Sequence, residues 1–429
     1  MTEMPIAQMK YHLLAKPAGA ACNLGCKYCF FLSKENLYPD ESYLMTDEMQ
    51  ERYIAQILES SAGDEVQITW QGGEPTLRGI DFFRRSVDLA NRYRKPHQRI
   101  LHTIQTNGTL IDEEWAAFFK ENGYLVGISI DGPREMHDAF RITKRGQGSF
   151  DDVIRGWNIL AKHGVDVNVL CTVHSANAPY PLEVYRFFRD ELGAEYIQLI
   201  PIVERATSET LDAANRGWGG LRGKDRPLYR QDGGLVTDRT VTGDAFGRFL
   251  IGVFDEWIQH DIGRIFVTTF DVALGSWFGQ HNACVVSPTC GRSLALEHNG
   301  DVYSCDHFVE PDYLLGRISD THLSDLVSCE KQRRFGDAKF ETLPRYCREC
   351  PVLFACYGEC PRNRFLKTPD GEDNLNWLCS GYKAFFTHIS PYMLRMTELI
   401  QGGGFADQIS PEVDRIRQHH TEHPDVRVR

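Results

Sequence analysis

A chain of 429 residues, 42% hydrophobic and 25% charged, is long enough for a large buried core and two or three domains. Its formal charge of −12 speaks against general nucleic-acid binding. No stretch approaches the roughly 20 apolar residues that span a bilayer, and the opening MTEMPIAQMK lacks a signal-peptide core, so a cytoplasmic protein with no nucleic-acid and no membrane partner is expected.

The first predicted strand is YHLLAKP, ending just before AACNLGCKYCFF with Cys22, Cys26 and Cys29. A structural zinc site wants four ligands, and a [4Fe-4S] cluster wants four thiolates. Three thiolates on a four-iron cube leave one iron open to a small molecule. A helix follows from Thr46, with a Thr cap, early acids and apolar residues at helical spacing. VQITW at Val66 to Trp70 reads as a strand, and QGGEP at Gln71 to Pro75 as the strand-end loop behind it. Two glycines there would let a ligand approach the backbone, and Glu74 would offset a positive charge. Strands then recur at His102 (HTIQTNG), Leu125 (LVGISIDG), Val165 (VDVNVLCTV) and Glu195 (EYIQLIPI). Between them lie DFFRRSVDLANRYR, DEEWAAFFKENG, FDDVIRGWNILAKHG and LEVYRFFRDELG, all with helical spacing.

Strands alternating with helices predict an α/β unit with parallel strands, as an open sheet or a barrel. Cys22, Gly72, Gly73, Glu74, Thr106, Asn107, Ser129 and Asp131 all fall at or just after strand ends. In a barrel these positions share one rim, where such folds place their chemistry.

Residues 204–244 are rich in glycine and charge and read as an insertion, a lid or a solvated linker. An amphipathic helix follows from Gly243. Of 13 cysteines, nine fall between Cys284 and Cys379. A large chain without a signal favours metal binding over disulfides. Setting Cys329 aside, eight late thiols divide into two sets of four, for two more four-iron clusters or two zinc sites. Cys171 lies in a strand-like apolar run and reads as a small buried hydrophobe. The end of the chain, from Gly403, is polar and reads as peripheral.

CNLGCKYC resembles the cluster loop of the radical S-adenosylmethionine enzymes, QGGEP resembles their methionine-binding strand end, and the later cysteines resemble the two-cluster SPASM domain. From Lys10 to about Met396 the chain resembles the anaerobic sulfatase-maturating enzymes within that superfamily. The resemblance implies a partial (β/α)6 TIM-like barrel followed by a cysteine-rich SPASM domain. It implies S-adenosylmethionine and three [4Fe-4S] clusters as cofactors. Its divisions would be residues 1–240 for the barrel, 241–275 for a connecting helix, 276–396 for SPASM and 397–429 for a polar tail.

By the same resemblance Cys22, Cys26 and Cys29 hold the open cluster. Cys284, Cys290, Cys305 and Cys360 would hold the first auxiliary cluster, and Cys347, Cys350, Cys356 and Cys379 the second. Gly72, Gly73 and Glu74 would meet the methionyl amino group, Ser129 and Arg141 its carboxylate, and Tyr28 the adenine. Arg155 competes with Arg141, and Phe31 is a further aromatic candidate. Asp306 in SCDHF would be the catalytic base. The implied reaction oxidises a cysteine or serine of a sulfatase to Cα-formylglycine through a 5′-deoxyadenosyl radical. The implied partners are a nascent or unfolded sulfatase with Cys/Ser-x-Pro/Ala-x-Arg and a flavodoxin- or ferredoxin-type reductant. Two other readings stand beside it: a maturase crosslinking a ribosomal peptide, disfavoured by the lack of a leader-binding domain before Lys10, and a zinc-bound interaction protein.

Overall fold

The computed structural model describes residues 11–39, 42–218, 228–230 and 232–422. Strands β1 (His12–Ala15), β2 (Glu65–Trp70), β3 (Arg99–Thr106), β4 (Leu125–Ser129), β5 (Asp166–Val173) and β6 (Tyr196–Pro201) pair in chain order and all in parallel. Each connection carries a helix, which is what parallel neighbours require. Thr46 caps the first helix, Asp47–Ser60, accepting from Met49 N at 3.2 Å, and Asp112 caps Glu113–Glu121, accepting from Trp115 N at 3.0 Å. This is the partial barrel, with every strand close to its expected bounds. The core lies between the outward strand residues and the helices, and includes Trp70, Phe83, Trp115 and Phe119.

The sheet does not stop at six strands. A two-residue pair, β7 (Arg205–Ala206) and β8 (Leu235–Val236), stands apart from it. Beyond them β9 (Phe266–Val267) joins β6 in parallel. On the far side β10 (Ser293–Leu296) joins β1 in parallel, followed by antiparallel β11 (Asp301–Tyr303) and β12 (Leu314–Arg317). The result is one ten-stranded sheet. The boundaries expected at 240 and 276 are therefore crossed by backbone hydrogen bonds, and Cys305 and Asp306 sit on a continuation of the barrel sheet.

The expected connecting helix is Gly243–His260, and it crosses helix Cys379–Gln401 at very close range. A Cβ on Gly381 would stand 2.0 Å from the Gly243 carbonyl oxygen, so the contact needs glycine. Helix Cys379–Gln401 also runs past the expected start of the tail at 397. The described part of that tail is docked: Ile409 and Val413 are buried, and Arg395 forks onto Glu412 at 2.8–3.1 Å. Residues 423–429 lie outside the described chain. Among the described residues no helix is long and apolar enough to cross a membrane.

Candidate active site

The loop after β1 carries Cys22, Cys26 and Cys29 and is pinned from two sides. Gly25 N and Lys27 N donate to the carbonyls of Ile142 and Phe140 at 2.8 and 2.9 Å. Opposite, Gly73 N and Glu74 N donate to the carbonyls of Gly19 and Ala21 at 2.9 and 2.8 Å. A Cβ on Gly73 would lie 2.0 Å from the Ala21 oxygen. The side of Gly73 where a Cβ would stand is filled by the cysteine loop's own backbone. The carbonyls of Gly72 and Gly73 accept no hydrogen bond among the described residues.

Glu74 is fully buried, and its side chain is spent within the protein. Oε1 accepts from Thr76 N at 3.1 Å and Thr106 Oγ1 at 2.7 Å, and Oε2 accepts from Asn107 N at 2.7 Å. The carboxylate ties the end of β2 to the end of β3. Burial pushes its pKa up, and these hydrogen bonds only partly oppose that. Asn107 also points its amide at Cys22 Sγ, at 3.7 Å.

Arg141 does not present a free fork. Its Nε and Nη2 donate to Asp131 at 2.8 and 3.1 Å, and Nη2 also reaches Thr172 Oγ1 at 3.2 Å. Tyr28 is likewise committed, donating its hydroxyl to Asp131 Oδ2 at 2.5 Å beneath the Arg141 guanidinium. Burial alone would push the Asp131 carboxyl up, but Arg141 and His174 beside it hold it well below the usual carboxylate range. Ser129 Oγ accepts from Gln105 Nε2 at 3.0 Å. Arg155 is turned away, donating to the carbonyls of Ile111 and Thr109 at 3.0 and 2.6 Å.

Burial pushes the Cys26 thiol up to about 12, against the lowering effect of Arg141, and pushes the Cys22 thiol well up too, helped by the Glu74 charge. Such thiols stay neutral unless a cation draws off their protons.

Residues 204–244 are an ordered flank of this loop wherever they are described. Trp218 N donates to the Lys27 carbonyl at 3.0 Å, and its indole donates to Glu204 Oε1 at 2.8 Å. Arg239 Nε meets Glu204 Oε2 at 2.9 Å. Lys34, just past Cys29, donates to the Tyr229 carbonyl at 2.9 Å. The solvated-linker reading fails for these residues, because a buried ion pair and an aromatic cluster hold them. Residues 219–227 and 231 lie outside the described chain.

Asp306 begins a turn after β11 and is buried. Its Oδ1 stands 3.1 Å from Lys16 Nζ, which also meets Glu297 Oε1 at 2.9 Å. Lys16 is 1% exposed and lies over the Phe31 ring at 4.6 Å. Burial would lower the lysine's pKa, but Asp306 and Glu297 raise it above its usual value. Lys16 was missed in the sequence; the signal was a charge ending an apolar strand directly before the cysteine loop.

Asp306 and His307 line a cavity of about 520 Å³ that enters the barrel. Its strand residues include Gln67, Thr69, Thr103, Gln105, Asn168 and Gln198, alternating as inward positions must. This lumen was also missed, although Gln67 and Thr69, and Thr103 and Gln105, alternate with apolar residues in their strands. Asn168 Oδ1 is buried and has no hydrogen-bond partner among the described residues.

The late cysteines gather in two groups. Cys347, Cys350, Cys356 and Cys379 line one small cavity. Cys284, Cys305 and Cys360 line the barrel cavity, which Cys356 of the first group also reaches, and Cys290 is an electrostatic neighbour of Cys284 and Cys360. Cys171 is fully buried, as expected. Among the described residues no three His, Cys, Asp or Glu groups are arranged for a single metal ion. An iron–sulfur cube takes its thiolates further apart than one ion does.

Residues 17–187 match the radical SAM superfamily, and residues 284–351 match an iron–sulfur cluster-binding domain, SPASM. A serine-type anaerobic sulfatase-maturating enzyme of Bacteroides thetaiotaomicron is 44% identical, covering 91% of this chain and 92% of that one. The chain belongs to the anaerobic sulfatase-maturating enzymes. A cysteine-type member of the family, from Clostridium perfringens, is 32% identical over 91% of this chain and 99% of its own. A solved structure described as native anSMEcpe with bound AdoMet matches with a TM-score of 0.77 and 30% identity, over 90% of this chain and 99% of that one. The same protein has been solved with a bound Kp18Cys peptide. This family member is therefore a radical SAM oxidoreductase that uses S-adenosylmethionine and iron–sulfur clusters.

Proposed function

We propose that this enzyme oxidises one serine or cysteine of a sulfatase polypeptide to Cα-formylglycine, with Asp306 as the base that takes the side-chain proton. The carrying observation is the Asp306 carboxylate, held by Lys16 at 3.1 Å on the wall of the barrel cavity beside Cys305. The proposed divisions remain a barrel over 1–240, a linking helix over 241–275, SPASM over 276–396 and a tail over 397–429.

Cys22, Cys26 and Cys29 would hold the cluster with an open iron. Cys284, Cys290, Cys305 and Cys360 would hold a second cluster, and Cys347, Cys350, Cys356 and Cys379 a third. The raised thiols of Cys22 and Cys26 suit this, since they bind as thiolates only with a cation present. When bound, the reduced cluster and S-adenosylmethionine supply a 5′-deoxyadenosyl radical that takes one hydrogen from the target Cβ.

The chain's own residues do the rest. The unpaired carbonyls of Gly72 and Gly73 take the methionyl ammonium, while the Glu74 carboxylate braces the strand ends behind them. Ser129 and the remaining Nη1 of Arg141 face the methionyl carboxylate, Arg141 being fixed by Asp131. Tyr28 serves the adenine through its backbone, because its hydroxyl belongs to Asp131. The amides of Gln67, Gln105 and Asn168 receive an extended peptide, whose backbone offers donors and acceptors in the same alternation.

A carboxylate is a weak base for a hydroxyl or thiol. With an auxiliary cluster held by the late cysteines as the acceptor of the one electron that must leave the target carbon, that proton would be far easier to remove. A serine target gives the aldehyde directly, and a cysteine target gives a thioaldehyde that water converts. A flavodoxin- or ferredoxin-type protein supplies the reducing electron.

The test is anaerobic incubation of the iron-loaded enzyme with S-adenosylmethionine, a reductant and peptides carrying Ser-x-Ala-x-Arg or Cys-x-Pro-x-Arg. The peptide aldehyde should form together with 5′-deoxyadenosine. Cofactor cleavage with a crosslinked peptide, or with no aldehyde from either peptide, contradicts the proposal.

A further inference from the structure

Two cations are buried among the late cysteines without a carboxylate to pair with. Lys339, on helix Glu330–Glu341, is 1% exposed. Its Nζ donates only to the carbonyls of Cys284 and Val285, at 2.5 and 3.0 Å. Arg364 is 6% exposed and donates to the carbonyls of Gly358, Lys339, Tyr357 and Glu359, at 2.6–3.1 Å. The acid whose charge reaches both is Glu359, and its carboxylate is turned to the amides of Asn363 and Asn376, at 3.0 and 2.8 Å.

Burying an unpaired charge costs several kcal/mol or more, so such cations persist where something negative lies beside them. Arg362 and Lys383 also act on Cys360 and Cys379, and Asp306 and Glu372 on Cys305 and Cys347, so the four cations named here exceed the three acids by one positive charge. The groups around them are thiols. Lys339 interacts electrostatically with Cys284, Cys290 and Cys360, and Arg364 with Cys347, Cys356 and Cys360.

At the N-terminal cysteines the field is mixed rather than reversed: the buried Glu74 carboxylate acts on Cys22, while at Cys26 the Arg141 charge outweighs that of its partner Asp131. Net charge close to an iron–sulfur cluster is one of the levers that sets its reduction potential, and it acts strongly where water is excluded.

We propose that Lys339 and Arg364 are the counter-charges of the auxiliary clusters and raise their reduction potentials, Lys339 for the Cys284–Cys290–Cys305–Cys360 set and Arg364 for both sets. The inference rests on the ligand assignment given under the proposed function. It gives the late cysteines a positive surrounding, where an electron must be received. Both residues act through the clusters and are positioning residues, not catalytic ones.

The test is an EPR-monitored redox titration of the full iron-loaded chain, with iron content measured in parallel. Lys339→Gln should move an auxiliary midpoint to more negative potential, and Glu359→Gln should move one to more positive potential. Lys339→Arg should stay near the parent, and the midpoint of the N-terminal cluster should not move in any variant. Full iron loading with unmoved auxiliary midpoints, or shifts of the same sign in Lys339→Gln and Glu359→Gln, overturns the inference while leaving the ligand assignment intact. If Lys339→Gln loses iron, Glu359→Gln and Lys339→Arg decide by the same signs. Absence of iron at the late cysteines of the parent protein overturns the ligand assignment itself, and the inference with it.

Discussion

Lys16 Nζ bridges Asp306 Oδ1 at 3.1 Å and Glu297 Oε1 at 2.9 Å, joining the end of the first barrel strand to the SPASM segment. Two buried carboxylates thus share one ammonium, and Asp306 is fixed against the cavity wall. Removing the lysine takes the shared cation from both acids, leaving Glu297 only His298 at 3.7 Å, and breaking a buried pair costs about 3–5 kcal/mol. Lys16→Met should therefore lower both stability and turnover. Adding Glu297→Gln should restore much of the stability without restoring turnover, and Lys16→Arg should restore part of both. Urea unfolding and the ratio of peptide aldehyde to 5′-deoxyadenosine separate these effects. A double variant that regains full turnover would remove Lys16 from the reaction.

Asp306→Asn keeps the shape and removes the base. Turnover to aldehyde should fall by about 10²–10⁴, the usual contribution of a positioned base. Cofactor cleavage should continue uncoupled, and peptide affinity should change little. The measurement is single-turnover product analysis with a binding isotherm alongside. Unchanged aldehyde formation would assign the proton to another group.

Gly73→Ala would place a methyl group 2.0 Å from the Ala21 oxygen. The cysteine loop would have to move, so cofactor binding and iron at the N-terminal set should both be lost. Gly234→Ala is the control, because its Cβ meets nothing within 4 Å. Iron analysis and cofactor titration report the difference, and equal behaviour of the two variants would contradict the pinned-loop description.

Cys379→Ala removes one thiol from the cavity it shares with Cys347, Cys350 and Cys356. Iron should fall by about four per chain, the content of one cube. Thermal stability should fall with it, since that set ties helix Cys379–Gln401 to the preceding cysteine loops. Full iron and unchanged melting would break the assignment.

Burial pushes His102 down to about 4, on β3 where it stacks on Tyr124 at 5.0 Å. The unfolded chain takes up this proton near pH 6.5 and the folded chain does not. Stability from this residue is therefore fully present above about pH 6.5 and lost as pH falls toward 4, by up to about 3 kcal/mol. His102→Gln should flatten that part of the pH profile of urea unfolding. An unchanged slope would show that His102 titrates normally in the fold.

Much of this was legible in the sequence because it is written locally. The cysteine triplet, the QGGEP strand end and the alternation of strands and helices each occupy a few adjacent residues, and caps such as Thr46 and Asp112 mark their boundaries. What stayed hidden depends on contacts between distant segments. No local pattern says that Ser293–Leu296 pairs with His12–Ala15, and without that pairing Lys16 has no reason to meet Asp306. The proposed grouping of the late cysteines is interlaced along the chain, and it came from the resemblance where spacing gave no answer. Arg141 was expected at the methionyl carboxylate and Tyr28 at the adenine, and nothing local says that Asp131, itself expected on the rim, takes both the Arg141 fork and the Tyr28 hydroxyl.

The most direct test of the radical route is the fate of the hydrogen on the target carbon. A peptide deuterated at the Cβ of its serine or cysteine should pass one deuterium to 5′-deoxyadenosine for each aldehyde formed, as read by mass spectrometry under anaerobic single turnover. Aldehyde accompanied by 5′-deoxyadenosine free of deuterium would show that the adenosyl radical does not act on that carbon.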